Sequence, residues 1–283
     1  MGAARKNRQH HWTPAQRWAL IALICAVLLL MAAPSLALLP VGAYAGVCFL
    51  APFFPHWSWY LPIVSRGERH SRDARAVALT FDDGPDPRAT PMLLNLLDKH
   101  GVKATFFLLG RRAIRHPEIV DAILAAGHTV GNHSYSHDLT LMLRSSKSLS
   151  ADIEAMQKLL AGHGIRPRAF RPPVGITNPM LGTVLRRLGL FAINFSRRGY
   201  DMGNRRLDNL AAKLLQRTEP GDILLLHDTA PPEKADLGIW LAEVETLLEG
   251  LQKRGLTVAP LESLIGREVM ACLNDAEADR PED

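Results

Sequence analysis

No Asp, Glu, Lys or Arg occurs between Trp18 and Ser65, and His56 is the only titratable side chain there apart from cysteine and tyrosine. A stretch of that length without charge excludes an ordinary water-facing surface. Cysteine is also scarce. Of three in 283 residues, Cys25 and Cys48 lie inside the uncharged stretch and Cys272 stands alone near the carboxyl end. The water-soluble part therefore has no internal disulfide framework and no Cys-x-x-Cys metal knuckle. The net charge of +5 is modest, and nothing repetitive or aromatic is interleaved with the basic residues. A nucleic-acid partner is not expected.

What is present divides between two solvents. Residues 18–39 form an apolar run long enough for a hydrocarbon core, which needs about 20 residues. A cleavable signal peptide is the rival reading, but the run exceeds the usual apolar region of such peptides and more apolar sequence follows. That second run, 41–55, ends in His56 and the aromatic residues Trp57, Trp59 and Tyr60, which favour the headgroup layer. Arg5, Lys6, Arg8 and Arg17 precede the stretch, and Arg66, Arg69, Arg72 and Arg75 follow it. Two crossings put both basic flanks on one side, as the positive-inside rule prefers, and so favour a helical hairpin with a cytoplasm-facing domain. One crossing gives the alternative, a periplasmic or extracellular face. The expected organisation is a basic tail (1–17), a membrane segment (18–63), a basic linker (64–75), an α/β domain (76–266) and an acidic, disordered tail (267–283).

From Arg75 onward short apolar runs alternate with amphipathic stretches. Strands are expected at 76–82, 104–110, 129–132, 168–171, 191–195, 223–227 and 256–259; helices at 89–99, 117–126, 150–162, 179–188, 207–217 and 237–254. Gly101 and Gly127 fall just past helix ends, where a left-handed residue closes the last turn. Such alternation implies a mostly parallel sheet covered by helices, open or closed into a barrel, with its chemistry at the carboxyl ends of the strands.

Polar residues cluster at those ends. Asp82 and Asp83 end the first strand, where two adjacent carboxylates need a cation nearby to stay ionised together. His133 and His137 follow the third, and four-residue spacing lets both reach one ion if the segment turns helical. With Asp83 they make a three-ligand site with water completing the shell, the arrangement of a catalytic metal. Arg171 precedes a proline-stiffened turn and can hold a carboxylate in a fixed fork. His227 ends the fully apolar strand Leu224-Leu225-Leu226.

In this order, TFDDGP at 80–85, HSYSH at 133–137, RPPVG at 171–175 and LLLHD at 224–228 resemble the polysaccharide deacetylase family, the NodB-homology group of carbohydrate esterase family 4. The resemblance covers about residues 76–266. It implies a distorted (β/α)7-type barrel after the transmembrane segment or hairpin. It also implies a metal-dependent hydrolase that removes the N-acetyl group from an amino sugar of a polysaccharide, oligosaccharide or lipid-linked glycan. By the same resemblance Asp83, His133 and His137 bind a divalent ion, often zinc (Zn2+), and Asp82 is the general base. Arg171 orients that base, the Val174 backbone N–H faces the oxyanion, and His227 protonates the departing amine. Asp201 is the residue that keeps His227 protonated.

The chain departs from the family pattern between Ser196 and Met202. One acid, Asp201, remains there; an Arg stands where another acid is common, and Met202 where Trp is usual. Reduced aromaticity argues against chitin-like polymers, and Arg197 or Arg198 becomes a candidate contact for the phosphate of a polyprenyl-linked sugar. The alternative within the superfamily is a deformylase or other C–N hydrolase acting on such a sugar. A catalytically inactive glycan-binding module is the alternative of another class, and it predicts loss of a ligand or base. Asp82, Asp83, His133, His137 and His227 are all present.

Overall fold

The structure is a computed structural model that describes residues 12–67, 74–233 and 236–273. Arg5, Lys6, Arg8, Arg69 and Arg72, and the tail from residue 274, lie outside the described residues. At the amino end, Thr13 caps helix α1 (Pro14–Ala32) by accepting from the Gln16 N–H, and the Gln16 side chain returns the bond to the Thr13 N–H. Helix α2 (Leu39–Leu50) and a single 3-10 turn, Ala51–Phe53, follow. Two apolar stretches, Pro14–Ala32 and Pro34–Phe53, are long enough to cross a membrane. Leu23, Leu28, Leu30 and Met31 are exposed on α1, unlike the residues of a soluble core helix. The hairpin is closed at its base: the Ala15 N–H donates to the Trp59 carbonyl at 3.0 Å, and Trp59 is buried against Val47 and Cys48. The two ends of the hairpin thus meet.

Beyond it runs the α/β alternation. In chain order the elements are β1 (Ile63–Val64), β2 (Ala76–Asp82), α3 (Thr90–Lys99), β3 (Thr105–Leu108), α4 (Gly110–Ala113), α5 (Pro117–Ala125), β4 (Thr129–Asn132), α6 (Ser146–Ala161), β5 (Ile165–Pro167), β6 (Ala169–Phe170), α7 (Leu181–Arg187), β7 (Phe191–Ile193), β8 (Arg197–Arg198), α8 (Leu210–Arg217), β9 (Ile223–His227), α9 (Asp236–Lys253), β10 (Thr257–Val258), α10 (Leu261–Ile265) and β11 (Met270–Cys272). The main sheet is parallel, in the order β1-β7-β6-β4-β3-β2-β9-β8, with β10 added to β2. The stretch from β7 to β8 leaves one side of the sheet paired with β6 and arrives at the other paired with β9. The chain itself thereby curls the sheet into the distorted (β/α)7 barrel.

Strand β2 shows how the interior is built. Val77, Leu79 and Phe81 pack in the helix-side core with Leu93, Leu97, Leu224, Leu226 and Trp240, whereas Ala76 and Ala78 pack in the inner core with Phe107, Ile223 and Leu225. Alternation then carries Thr80 and Asp82 to the inner side, and the same period carries His227 inward after Ile223 and Leu225. Register pairs Asp82 directly with His227 on neighbouring strands. Small residues low in the barrel and polar ones at its carboxyl end leave a cavity there.

Several boundaries differ from the sequence reading. Strand β1 was included in the membrane segment and linker, but it pairs with β7 as part of the barrel. Met270–Cys272, assigned to the acidic tail, pairs antiparallel with β5, so the domain runs past residue 266. Helix α6 starts four residues before Ser150, because Ser145 accepts the Ser148 N–H and caps it.

Candidate active site

A cavity of about 830 Å³ opens at the carboxyl ends of β2, β4 and β9, lined by Asp82, Asp83, His133, His137, Asp201 and His227 among others. Strand geometry alone would turn Asp82 and Asp83 to opposite sides. Asp83 instead takes a left-handed backbone, φ 71°, and both carboxylates face the cavity. The histidine pair also converges without the expected helix. After β4 the chain makes a tight turn with Ser134 at φ 78° and His137 at φ 51°, held by the His137 N–H donating to Ser134 Oγ at 3.0 Å. His133 Nε2 and His137 Nε2 lie 3.4 and 3.2 Å from Asp83 Oδ1.

These three residues suit a divalent cation. Their ligand atoms all lie within 4.8 Å of one another, two imidazole nitrogens and one carboxylate oxygen. Asp83 Oδ1 is buried and accepts no hydrogen bond. His133 places Nδ1 2.8 Å from the Arg171 carbonyl. A proton on Nδ1 donated to that oxygen leaves the Nε2 lone pair facing Asp83. Burial raises the pKa of the Asp83 carboxyl, but the hydrogen bond and charge of His133, with the charges of His137 and His227, outweigh it and hold the group well below the usual carboxylate range.

Asp82 has a different neighbour. Arg171 is fully buried, holds its guanidinium carbon 4.0 Å over the centre of the Phe107 ring, and donates to Asp82 Oδ1 at 2.7 Å and Thr80 Oγ1 at 2.8 Å. It is the cation that the adjacent carboxylates require, and it fixes one oxygen of Asp82 so that the other points towards the ligand cluster, with Oδ2 3.8 Å from His133 Nε2. On the neighbouring strand β9, His227 Nδ1 is 2.8 and 2.9 Å from the two oxygens of Asp201. Burial lowers the His227 pKa, but the hydrogen bond and charge of Asp201 prevail, helped by Asp83 and Asp82, and raise it to about 9. Val174 lines the same cavity with φ 51° and ψ 14°, a backbone that a β-branched residue holds only under constraint.

The two arginines singled out in the sequence part company. Arg198 lines the cavity and lies over the Tyr200 ring at 4.4 Å. Arg197 turns away and pairs with the buried Asp222 at 2.8 Å, which removes it from the substrate-contact set. One residue escaped the sequence reading. Asn204 is buried in the loop that carries Asp201, and its amide donates to the carbonyls of His227 at 2.9 Å and Thr229 at 2.7 Å. It ties that loop to the end of β9. A lone Asn in a polar loop carries no spacing or periodicity to mark it. Asn204→Ala is expected to lower kcat roughly 10- to 100-fold through misplacement of Asp201, with KM little changed. An unaltered alkaline limb in the pH–rate profile would reject this positioning role.

A parallel barrel with paired carboxylates, two histidines and a separate histidine–carboxylate pair at its carboxyl rim defines a hydrolase-type site. Comparison of the sequence supports that class. A sequence model of the family described as polysaccharide deacetylase matches residues 69–193. A chitooligosaccharide deacetylase of Azorhizobium caulinodans is 32% identical over 213 residues, 71% of this chain and 100% of that protein. A peptidoglycan-N-acetylglucosamine deacetylase of Bacillus cereus is 32% identical over 193 residues, 68% and 88% of the two chains. Among solved structures, the Bc1960 peptidoglycan N-acetylglucosamine deacetylase superposes with a TM-score of 0.65 at 30% identity, over 73% of this chain and 94% of that one. The chain belongs to the polysaccharide deacetylase family.

Proposed function

We propose that this chain is a metal-dependent N-deacetylase of an amino sugar within a glycan, held at a membrane by the α1–α2 hairpin. The observation that carries the reading is the register pair Asp82–His227, with opposite counter-ions behind the two side chains and the Asp83–His133–His137 cluster beside them. Arg171 fixes one oxygen of Asp82 and leaves the other placed to take a proton, whereas Asp201 keeps His227 cationic and able to give one. A divalent cation on Asp83, His133 and His137, zinc by our reading of the donor set, would supply Lewis acidity to the acyl carbonyl and the attacking water. Asp82 accepts a proton as the water oxygen bonds to the carbonyl carbon. The Val174 N–H faces the oxygen on which charge develops. His227 delivers its proton to nitrogen as the C–N bond breaks, leaving a free amine on the sugar and acetate.

The deciding experiment is metal analysis of the purified full-length protein with an assay of acetate released from N-acetylglucosamine oligomers and of formate released from the same oligomers carrying N-formyl groups. Chelation is expected to abolish acetate release, and zinc to restore it. Full turnover after exhaustive chelation defeats the reading, and turnover of the N-formyl oligomers without turnover of the N-acetyl ones converts it to deformylation. The contact between Ala15 and Trp59 supports a hairpin with Arg17 and Arg66 on one side, which by the positive-inside rule is the cytoplasm. Cys272 is exposed, whereas Cys25 and Cys48 lie in the apolar helices. A membrane-impermeant maleimide is therefore expected to label Cys272 in lysed but not in intact cells; labelling in intact cells reverses the orientation.

A further inference from the structure

Resting on the deacetylase reading above, we propose that the substrate is an amino sugar joined through a phosphate to a membrane lipid, drawn into the cavity from the bilayer surface. Three independent features of the cavity mouth converge on this ligand.

The first is position. Pro55, two residues past the apolar stretch that ends at Phe53, packs against the cavity wall. Its carbonyl accepts from Asn194 Nδ2 at 2.7 Å, and a Cβ at Gly175 would come within 3.1 Å of the proline ring. The His56 ring meets Phe195 edge-on at 6.0 Å. Gly175 and Phe195 both line the cavity, so the wall of the site touches the point where the chain leaves the hairpin. Phe53, Phe54 and Trp57 are exposed beside it, as suits an interfacial belt.

The second is the apolar rim. Leu139, Val174, Tyr200 and Met202 all line the cavity, and each is half or more exposed. A soluble glycan gains little from such a rim; an acyl or prenyl chain entering beside the sugar covers it.

The third is charge. Arg198, Arg205 and Arg206 line the same mouth and are exposed. Among the described residues no carboxylate forms an ion pair with them, whereas Arg112 and Arg197 are taken up by Asp86 and Asp222. The carboxylates deeper in the cavity do not offset them: Asp82 is paired with Arg171, Asp201 with His227, and Asp83 faces the cation-binding cluster. Three free planar forks at the mouth fit phosphate oxygens, which accept two parallel N–H bonds from each guanidinium.

Four probes carrying N-acetylglucosamine separate the sources of this chemistry, with the full-length protein in zwitterionic nanodiscs. They are a polyprenyl diphosphate-linked sugar, a UDP-linked sugar with phosphate but no lipid, an octyl glycoside with an alkyl chain but no phosphate, and neutral chitotetraose. The expected result is the largest kcat/KM on the polyprenyl diphosphate probe, by about tenfold or more over each of the others. Joint replacement R198Q/R205Q/R206Q is expected to cut the ratio of that value to the chitotetraose value about tenfold or more. Arg205→Gln and Arg206→Gln singly, each an exposed change, serve if the triple variant folds poorly. Equal or faster turnover of chitotetraose overturns the proposal, as does an unchanged ratio in the variants. Equal turnover of the UDP-linked probe removes its membrane half. Absence of acetate from all four probes overturns the deacetylase reading itself, an outcome distinct from acetate released only from chitotetraose.

Discussion

Asp82→Asn is expected to reduce acetate release by about 10²–10⁴-fold, the span over which a positioned general base acts. The substitution keeps shape and leaves an oxygen to accept from Arg171, so the barrel end is preserved while the proton acceptor is lost. Because Asp82 lies outside the three-ligand cluster, cation content is expected to stay near that of the native protein. Stability falls, since Arg171 is buried and Asp82 is its carboxylate partner. An uncompensated buried charge costs about 3–5 kcal/mol when a partner is removed outright, and the retained amide oxygen makes the expected loss smaller. Acetate assay, metal analysis and thermal unfolding separate the possibilities. Unchanged turnover would remove Asp82 as the base. Loss of the cation would make it a ligand instead.

Much of this site could be read before any coordinates, for a reason rooted in strand geometry. A parallel barrel strand signals itself by a short apolar run, and its last residue lies at the rim; β2, β4 and β9 coincide with the runs at 76–82, 129–132 and 223–227. Asp82, Asp83, His133 and His227 follow directly from those ends. What the sequence concealed is non-periodic. Asp83 and His137 reach the cavity by left-handed backbone, not by strand or helix spacing. Strands β1, β8 and β11 are two or three residues long and owe their existence to partners distant in the chain. Arg197 and Arg198 are neighbours in sequence, and only the β8 pairing sends one to Asp222 and the other to the cavity.

Asp201→Asn tests the acid half of the mechanism through the pH dependence. In the native protein the His227 pKa is raised to about 9, with Asp201 as the strongest attractive partner. A group that must be protonated to act is loaded below its pKa and emptied as pH rises through it, so the rate is expected to fall on the alkaline side near pH 9. Part of the upward shift comes from Asp83 and Asp82, and a cation at the ligand cluster neutralises the Asp83 share. The Asp201 pair therefore sets the portion that persists in the loaded enzyme. Replacing its carboxylate with an amide removes the charge that holds the imidazolium. The descending limb then moves towards 6.5, the ordinary histidine value, and the rate at pH 8 drops by about 30-fold. The same sign holds for stability. The raised pKa contributes fully below the unfolded value of about 6.5 and is lost as pH rises through about 9, so Asp201→Asn is more destabilising at pH 6 than at pH 10. His227→Gln, which has no proton to give at any pH, is expected to lose both rate and alkaline limb together. If Asp201→Asn lowers the rate equally at every pH, Asp201 only shapes the loop, and the proton donated to the departing amine comes from elsewhere.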